Sequence, residues 1–432
     1  MTSAREQRET ASHAGEHRAS AYRWVVLASF MAVNLTIQTL WISYAPVSSR
    51  AEEFYGVSDV AIAAFAMSFM VAYLPVSLPA SYVIDHRGLR FAAGAGALLA
   101  GVAGVARGLA GDHYAAALLA TIGAAVAQPF LLNAWTTLST RWFPRSQRAT
   151  AVSLITLANL VGTGVGLALT PSLVDATSIS TTQLVYGGAA LVAGVLFVAV
   201  ARDRPTVAPD RDVDDAHALV VHGTRRVLRM KPFLVLLALA FVALGVFNGV
   251  TTWVEELVHP RGFTSDDAGT LGALLLVGGV VGAVTLSTWS DRAARRVPFL
   301  AVGLVATAPG LVWLTFAESR AGLFGAAVVV GFFLTSVLPV GMQYAAEITA
   351  PTPEGTSNGL VQLGGQASVV FVLLMGMTRT DSGSFTPSLL GLAVLLVVCG
   401  VVASRLPEPA EHLTLRNAVA DAALDGPPHT HR

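Results

Sequence analysis

Side-chain amides recur inside the apolar stretches of this chain: Asn34, Gln38, Gln128, Asn133, Asn159, Asn248, Gln343, Gln362 and Gln366. Aromatic residues accompany them at Trp41, Trp135, Trp253 and Tyr344. All of these groups are uncharged. An aromatic face holds an ammonium by cation–π attraction without a counter-ion, and an amide binds a hydroxyl or amine end. That chemistry suits a small organic cation. The same residues also have structural uses, because Trp anchors helices at a bilayer interface and amides bond one helix to another. No ionisable residue stands in the middle of an apolar stretch. Glu255 and Glu256 fall at the outer end of one, Glu347 near the inner end of another, and all ten histidines in tails, loops or stretch ends. A buried proton relay or a His-ligated haem needs such groups at depth, so neither is expected. Paired carboxylates, metal-spaced His and a Ser/His/Asp set are equally missing there, which argues against an enzyme. No cofactor is expected.

The apolar stretches dominate the chain. Of 432 residues 54% are hydrophobic and 12% charged, against about a quarter charged in soluble domains, and mean hydropathy is +0.62. Too few charges are present to cover soluble domains of this length. Twenty-seven basic and 27 acidic residues cancel, which excludes a nucleic-acid partner and a disordered chain. The single cysteine, Cys399, excludes a disulfide framework and a thiolate metal cluster. The chain reads as an all-α, polytopic membrane protein whose surroundings are a lipid bilayer.

A spanning helix needs about 20 mostly apolar residues. Twelve such runs are expected, at approximately 22–46, 58–83, 91–110, 114–139, 149–174, 182–201, 232–256, 268–289, 297–317, 322–345, 356–378 and 387–404. A polar stretch, Met1 to Ala21, precedes the first run, so that run reads as a retained span and not as a cleaved signal. Residues 1–21 and 405–432 read as flexible cytoplasmic tails, and 202–231, the longest and most charged loop, as a cytoplasmic linker between six-helix bundles at 22–201 and 232–404. Lys and Arg concentrate in loops on the cytosolic side of membranes. The loops on the side of the tails hold fifteen, the opposite loops five: Arg50, Arg107, Arg261, Arg320 and Arg379. Both termini are therefore expected in the cytoplasm.

The two halves repeat. Ser81-Tyr82-Val83-Ile84-Asp85-His86-Arg87-Gly88-Leu89-Arg90 joins the second and third runs, and Ser287-Thr288-Trp289-Ser290-Asp291-Arg292-Ala293-Ala294-Arg295-Arg296 joins the eighth and ninth; their aspartates lie 206 positions apart. These segments resemble the loop motif of the major facilitator superfamily, roughly Gly-x-x-x-Asp-Arg-x-Gly-Arg-Arg, with Ser for the leading Gly in both copies. The resemblance implies two pseudo-symmetric six-helix bundles working by alternating access. Charge-assisted pairs at such loops hold one side shut in one state and break in the other. Asp85, Arg90, Arg148, Asp291, Arg295, Glu347 and Glu354 are the candidates for that switching, with Arg145 also within reach. Small-residue spacings at Gly104/Gly108, Gly162/Gly166, Gly278/Gly282 and Gly359/Gly364/Gly365 permit close helix contact.

Further segments narrow the resemblance: Trp41-Ile42-Ser43-Tyr44, Phe54-Tyr55-Gly56-Val57-Ser58, Met70-Val71-Ala72-Tyr73-Leu74-Pro75, Ala127-Gln128-x-Phe130, Leu338-Pro339-Val340-Gly341 and Glu347-Ile348-Thr349-x-Pro351-x-x-Glu354-Gly355-Thr356-Ser357-x-Gly359-Leu360. Across most of both halves the chain is similar to the feline leukaemia virus subgroup C receptor-related family, animal transporters of choline and ethanolamine long discussed as haem carriers. The resemblance implies that Trp41 is the cation-binding Trp of the first helix, with Gln128 and Gln366 as substrate-contacting amides. The family's Tyr in the seventh helix is replaced here by Asn248, which removes one wall of an aromatic cage. Asn34 joins these as a candidate substrate ligand. A plasma-membrane carrier of a choline- or ethanolamine-like cation, acting as a monomer on a small-molecule substrate, is the expectation. An exporter or antiporter of an amphipathic compound, such as a drug, a porphyrin or an organic anion, is the alternative.

Overall fold

A backbone that crosses apolar surroundings must satisfy its own N–H and C=O groups, and a helix does so within one segment. The apolar runs therefore impose the architecture. The computed structural model describes residues 21–202, 226–349, 354–380 and 383–409, and these contain helices and turns but no strand. Twelve helices are long and apolar enough to cross a membrane: Tyr22–Tyr55, Asp59–Arg87, Leu89–Leu109, Tyr114–Trp142, Thr150–Ala176, Ile179–Val200, Lys231–Thr252, Ser265–Arg292, Val297–Phe316, Arg320–Thr349, Ser357–Met377 and Thr386–Ala403. They match the twelve expected runs in number and order. Residues 1–20 of the proposed tail 1–21, the core of the linker 202–231 and most of the tail 405–432 lie outside the described residues.

Several ends differ from expectation, each for a local reason. The first span does not stop near residue 46. Its helix Tyr22–Ile42 passes through a 3-10 turn at Ala45–Val47 into a further helix, Ser48–Tyr55. Pro46 has no N–H to give the ladder and tightens the turn, and Gly56, at φ +66°, ends the segment. Arg50, Glu52 and Glu53 thus sit on a helix, not in a loop. The fourth span is stepped at Asn133, between Tyr114–Leu132 and Ala134–Trp142. The eleventh is stepped at Ser368, between Glu354–Ala367 and Val369–Met377.

The described chain forms two compact units. One contains the first six spans together with Asn248–Ala273; the other contains the seventh span up to Phe247 and the chain from Leu274 onward. Within the first unit, small residues let backbones touch. Gly104 and Gly108 of the third span face Gly187 and Leu184 of the sixth, where an added Cβ would lie 2.8 Å from the Gly187 Cα and 2.5 Å from the Leu184 Cα. Gly162 of the fifth span lies on the Leu35 backbone of the first, and Gly166 on Ile42. Within the second unit, Gly278 and Gly282 of the eighth span meet Val328 and Phe332 of the tenth. Gly359, by contrast, meets nothing within 4 Å.

Two charged clusters are buried in the first unit. Arg107, counted above with the loop charges, belongs to the helix of the third span and is 1% exposed. Its Nη1 donates to the Leu40 carbonyl at 2.9 Å and its Nη2 to Ser43 Oγ at 3.1 Å and to Gln183 Oε1, while its guanidinium lies 5.1 Å from the Tyr44 ring centre. One cation thereby ties together the first, third and sixth spans. Glu255 and Glu256 fall on a short helix, Val254–Val258, beyond the seventh span. Both are buried. The Glu255 carboxylate accepts from Ser48 Oγ at 2.9 Å, Ser49 N at 2.9 Å, Ser49 Oγ at 2.8 Å and Ser265 Oγ at 2.5 Å. Burial pushes the neighbouring Glu256 carboxyl up to about 8, against the hydrogen bonds that favour its charge, and Glu255 and Glu52 add to the rise.

Two outcomes follow from this packing. Replacing Gly187 by Leu drives a side chain into the Gly104 backbone; overpacking costs about 1–3 kcal/mol, so thermal melting in detergent shifts down for Gly187→Leu and stays in place for Gly359→Ala. A carboxyl whose native pKa is raised contributes its stability below its ordinary range and loses it as pH rises through the native value. Thermal stability therefore declines between about pH 5 and about pH 9, and Glu256→Gln flattens that part of the profile. An unchanged slope in Glu256→Gln would assign the decline to other groups.

Candidate functional site

Asn34, Gln38 and Trp41 stand at helical spacing on the first span, so they share one face. All three are buried. Asn34 is engaged at both ends: its Nδ2 donates to the Phe30 carbonyl at 2.9 Å, and its Oδ1 accepts from Trp135 Nε1 of the fourth span at 2.8 Å. That bond sets the register between the two helices. Successive spans run in opposite directions, so seven residues onward in the first helix matches seven residues back in the fourth. Trp41 and Gln128 both lie about 10 Å from the Asn34–Trp135 level at 1.5 Å per residue, and therefore at equal depth. Gln38, four residues from Asn34, lies about 6 Å along the same face.

Trp41, Gln38 and Gln128 are themselves neutral, and the nearest fixed charge, the Arg107 guanidinium bonded to the Leu40 carbonyl and Ser43 Oγ, lies within a turn of Trp41 along the first span. The Trp41 indole donates to the Ala66 carbonyl of the second span at 3.2 Å, which fixes the ring plane. Gln38 is 8% and Gln128 3% exposed. The Oε1 atoms of both receive no hydrogen bond among the described residues. A buried acceptor left without a donor costs about 1–3 kcal/mol; Asn159 Oδ1 of the fifth span is also without one, but Gln38 and Gln128 are the two beside Trp41. Asn133, one of the other candidate amides, is fully used: it accepts from Tyr73 Oη at 2.7 Å and donates to the Ser77 carbonyl, Ser77 Oγ and Ser81 Oγ at 2.9–3.1 Å.

The remaining candidates divide between the units. Asn248 is buried in the seventh span, at the point where the chain joins the first unit. Gln366 is half-buried in the second unit, two residues before the step at Ser368. Trp253 is 1% exposed and so is a buried residue, not part of an interfacial belt. Tyr344 spends its hydroxyl on the Pro407 carbonyl at 2.9 Å, so it braces the end of the last span instead of lining a site.

Of the switching candidates, Asp85 and Arg90 are exposed at the end of the second span and the start of the third; Arg90 Nη2 donates to the Val198 carbonyl at 3.3 Å. Arg148 donates to the carbonyls of Phe143 at 3.2 Å and Thr140 at 3.4 Å. The side chains of Arg145 and Glu354 lie outside the described residues. In the second unit the repeat loop carries a triad. Arg296, 3% exposed, pairs with Asp291 and donates to Glu347 Oε1 at 2.8 Å from Nη2 and at 3.1 Å from Nε. Burial opposes the charge on Arg296, but the two carboxylates outweigh it and raise the pKa above its ordinary value. Arg295, the arginine singled out in the sequence, is exposed and joins the loop through its backbone. Arg296 replaces it because it precedes the first residue of the ninth helix, which turns its side chain inward. Glu408 then caps that helix start, accepting from the backbone N–H of Arg296 at 3.0 Å and of Val297 at 3.3 Å. The segment just past the last span is therefore docked, not free.

The chain is similar to known proteins in sequence and in fold. The sequence model of the Major Facilitator Superfamily matches residues 24–264 and 254–423. The choline/ethanolamine transporter FLVCR1 of Felis catus is 30% identical over 385 residues, which cover 84% of this chain and 69% of that protein. The choline/ethanolamine transporter FLVCR2 of Homo sapiens is 28% identical over 403 residues, 88% of this chain and 76% of the relative. Among solved structures, a bacterial homologue of the human lysosomal transporter Spinster, in an inward-facing and unoccupied conformation, superposes with a TM-score of 0.70 at 16% identity, covering 93% of this chain and 98% of that one. The chain is a multi-pass membrane transporter and not an enzyme; it belongs to the major facilitator superfamily and, within it, to the family of the choline/ethanolamine transporters FLVCR1 and FLVCR2.

Proposed function

We propose that the protein carries a small hydroxylated ammonium, of the choline and ethanolamine class named for its relatives, across the plasma membrane by alternating access. The observation that supports this most directly is the pairing of the uncharged Trp41 and Gln128 at one depth. An indole ring attracts a desolvated cation by about 1–2 kcal/mol without any carboxylate. A neutral site also lets the cation leave, since no fixed charge must be separated from it.

Both tails are placed in the cytoplasm. Setting aside the buried Arg107 and Arg296, the far side keeps four basic residues outside the spans' apolar cores, Arg50, Arg261, Arg320 and Arg379, against fourteen on the tail side. A cell-interior negative potential then favours inward movement of a monovalent cation by about 2.3 kcal/mol per 100 mV. No buried relay is needed to drive uptake, and the chain works as a monomer. The Asp291–Arg296–Glu347 triad serves as a conformational tie, whose making and breaking accompanies the change of access.

Uptake of radiolabelled choline and ethanolamine into proteoliposomes tests the reading. Uptake rises when an interior-negative potential is imposed, and Trp41→Ala lowers apparent affinity about 5- to 30-fold, the range of one cation–π contact. Trp41→Phe retains part of it, because the ring persists while the bond to Ala66 is lost. Folded wild-type protein that takes up neither compound overturns the assignment. The triad is tested separately. Breaking a fully buried pair costs about 3–5 kcal/mol, and less here because Asp291 is half exposed. Arg296→Gln therefore lowers melting temperature and turnover while leaving substrate affinity near that of the wild type; an unchanged turnover would remove the triad from the transport cycle.

A further inference from the structure

Two buried carbonyl oxygens, Gln38 Oε1 and Gln128 Oε1, lack donors among the described residues. They stand on facing surfaces of the first and fourth spans, offset along the helix axis by about 4–5 Å, three residues at 1.5 Å each. An amide side chain reaches across that offset. The register is fixed independently by the Asn34–Trp135 bond, and Trp41, level with Gln128, is held by Ala66. A ligand lying against Trp41 therefore meets two acceptors that the protein leaves unsatisfied.

We propose that Gln38 is a specificity-determining residue which, with Gln128, selects a primary ammonium over a quaternary one. The inference rests on the functional reading above and names its preferred substrate. Counting donors gives the reason. A quaternary trimethylammonium alcohol brings one O–H and no N–H, so it satisfies one of the two oxygens and leaves the other buried and unpaired. A primary ammonium alcohol brings one O–H and three N–H, enough for both oxygens with the positive charge still against the indole. Hydrogen bonds from a charged donor are the stronger kind, and a site whose buried polar groups go unpaired rejects the ligand responsible.

The experiment uses wild-type protein and the series ethanolamine, N-methylethanolamine, N,N-dimethylethanolamine and choline, read both as inhibition of radiolabelled ethanolamine uptake and as thermal stabilisation of the detergent-solubilised carrier. Affinity holds from ethanolamine to N,N-dimethylethanolamine, whose protonated form still brings one N–H and one O–H, and falls at choline by at least about tenfold, the cost of one unpaired buried acceptor. Gln38→Met keeps the volume and removes the acceptor. It lowers ethanolamine affinity about tenfold and changes choline affinity little, so the ratio collapses toward one. A flat series, or one rising toward choline, overturns the inference and leaves the carrier reading intact. So does a Gln38→Met protein that binds ligand with the wild-type ratio. If Gln38→Met does not fold, the wild-type series alone decides. Wild-type protein indifferent to the whole series overturns the functional reading and this inference with it.

Discussion

Among apolar helices a polar group has no water to fall back on, so each one must be bonded by the protein or kept for a solute. Most of the placements described above follow from that constraint. Arg107 meets it at its two terminal nitrogens, by gathering a carbonyl, a hydroxyl and an amide from two neighbouring spans. Glu255 satisfies it with four donors from Ser48, Ser49 and Ser265. Asn34 and Asn133 satisfy it by joining the fourth span to the first and second. Gln38 and Gln128 are departures, as is Asn159 of the fifth span, and the first two are informative because they lie within a few residues' height of each other beside Trp41.

The same constraint explains why contact between spans is made by small residues. Lipid tails offer apolar side chains as good a partner as another helix does, so close association depends on backbones meeting. The third and sixth spans touch along Gly101, Gly104 and Gly108, and the eighth and tenth along Gly278 and Gly282. Such seams are smooth, with few interlocking side chains. They are firm along the helix pair and impose little resistance to small sliding shifts, which a carrier requires. Fixed charge is kept to the ends of spans, where the Asp291–Arg296–Glu347 triad combines strong pairing with access to water.

Hydropathy made the spans legible, since length and apolar content alone define a crossing helix, and the duplicated Asp–Arg segments exposed the repeat. Side-chain direction was not legible. Arg107 lies within three residues of a helix end, where composition cannot separate a loop charge from a buried one; the signal was the presence of Ser43 and Gln183 on neighbouring spans. Arg295 and Arg296 are adjacent, and only the starting point of the ninth helix decides which of them turns inward. The first span outran its expected end because Pro46 in a 3-10 turn bends a helix without stopping it. At the candidate site, the sequence singled out Trp41, Gln128 and Asn34 together, yet Asn34 is occupied by Trp135, a pairing 101 residues apart that no local pattern announces.

A proposed site without a carboxylate has a consequence for how such a carrier would balance holding a cation against releasing it. A carboxylate at depth would hold an ammonium strongly, but when the site emptied it would be left as an unpaired buried charge, and the empty carrier would resist its return step. Aromatic and amide groups avoid that penalty. Trp41 loses only a modest attraction on release, and an unbonded amide oxygen costs far less than an unpaired carboxylate. The empty and loaded carriers then differ little in energy, which is the condition for both to cross between states at useful rates. What the site gives up in affinity it regains in discrimination, because each reserved oxygen rejects a ligand that brings no donor to it. On the proposed reading, two orphan acceptors beside one indole recognise the solute by the hydrogens it brings, with its charge handled by the ring and by the membrane potential.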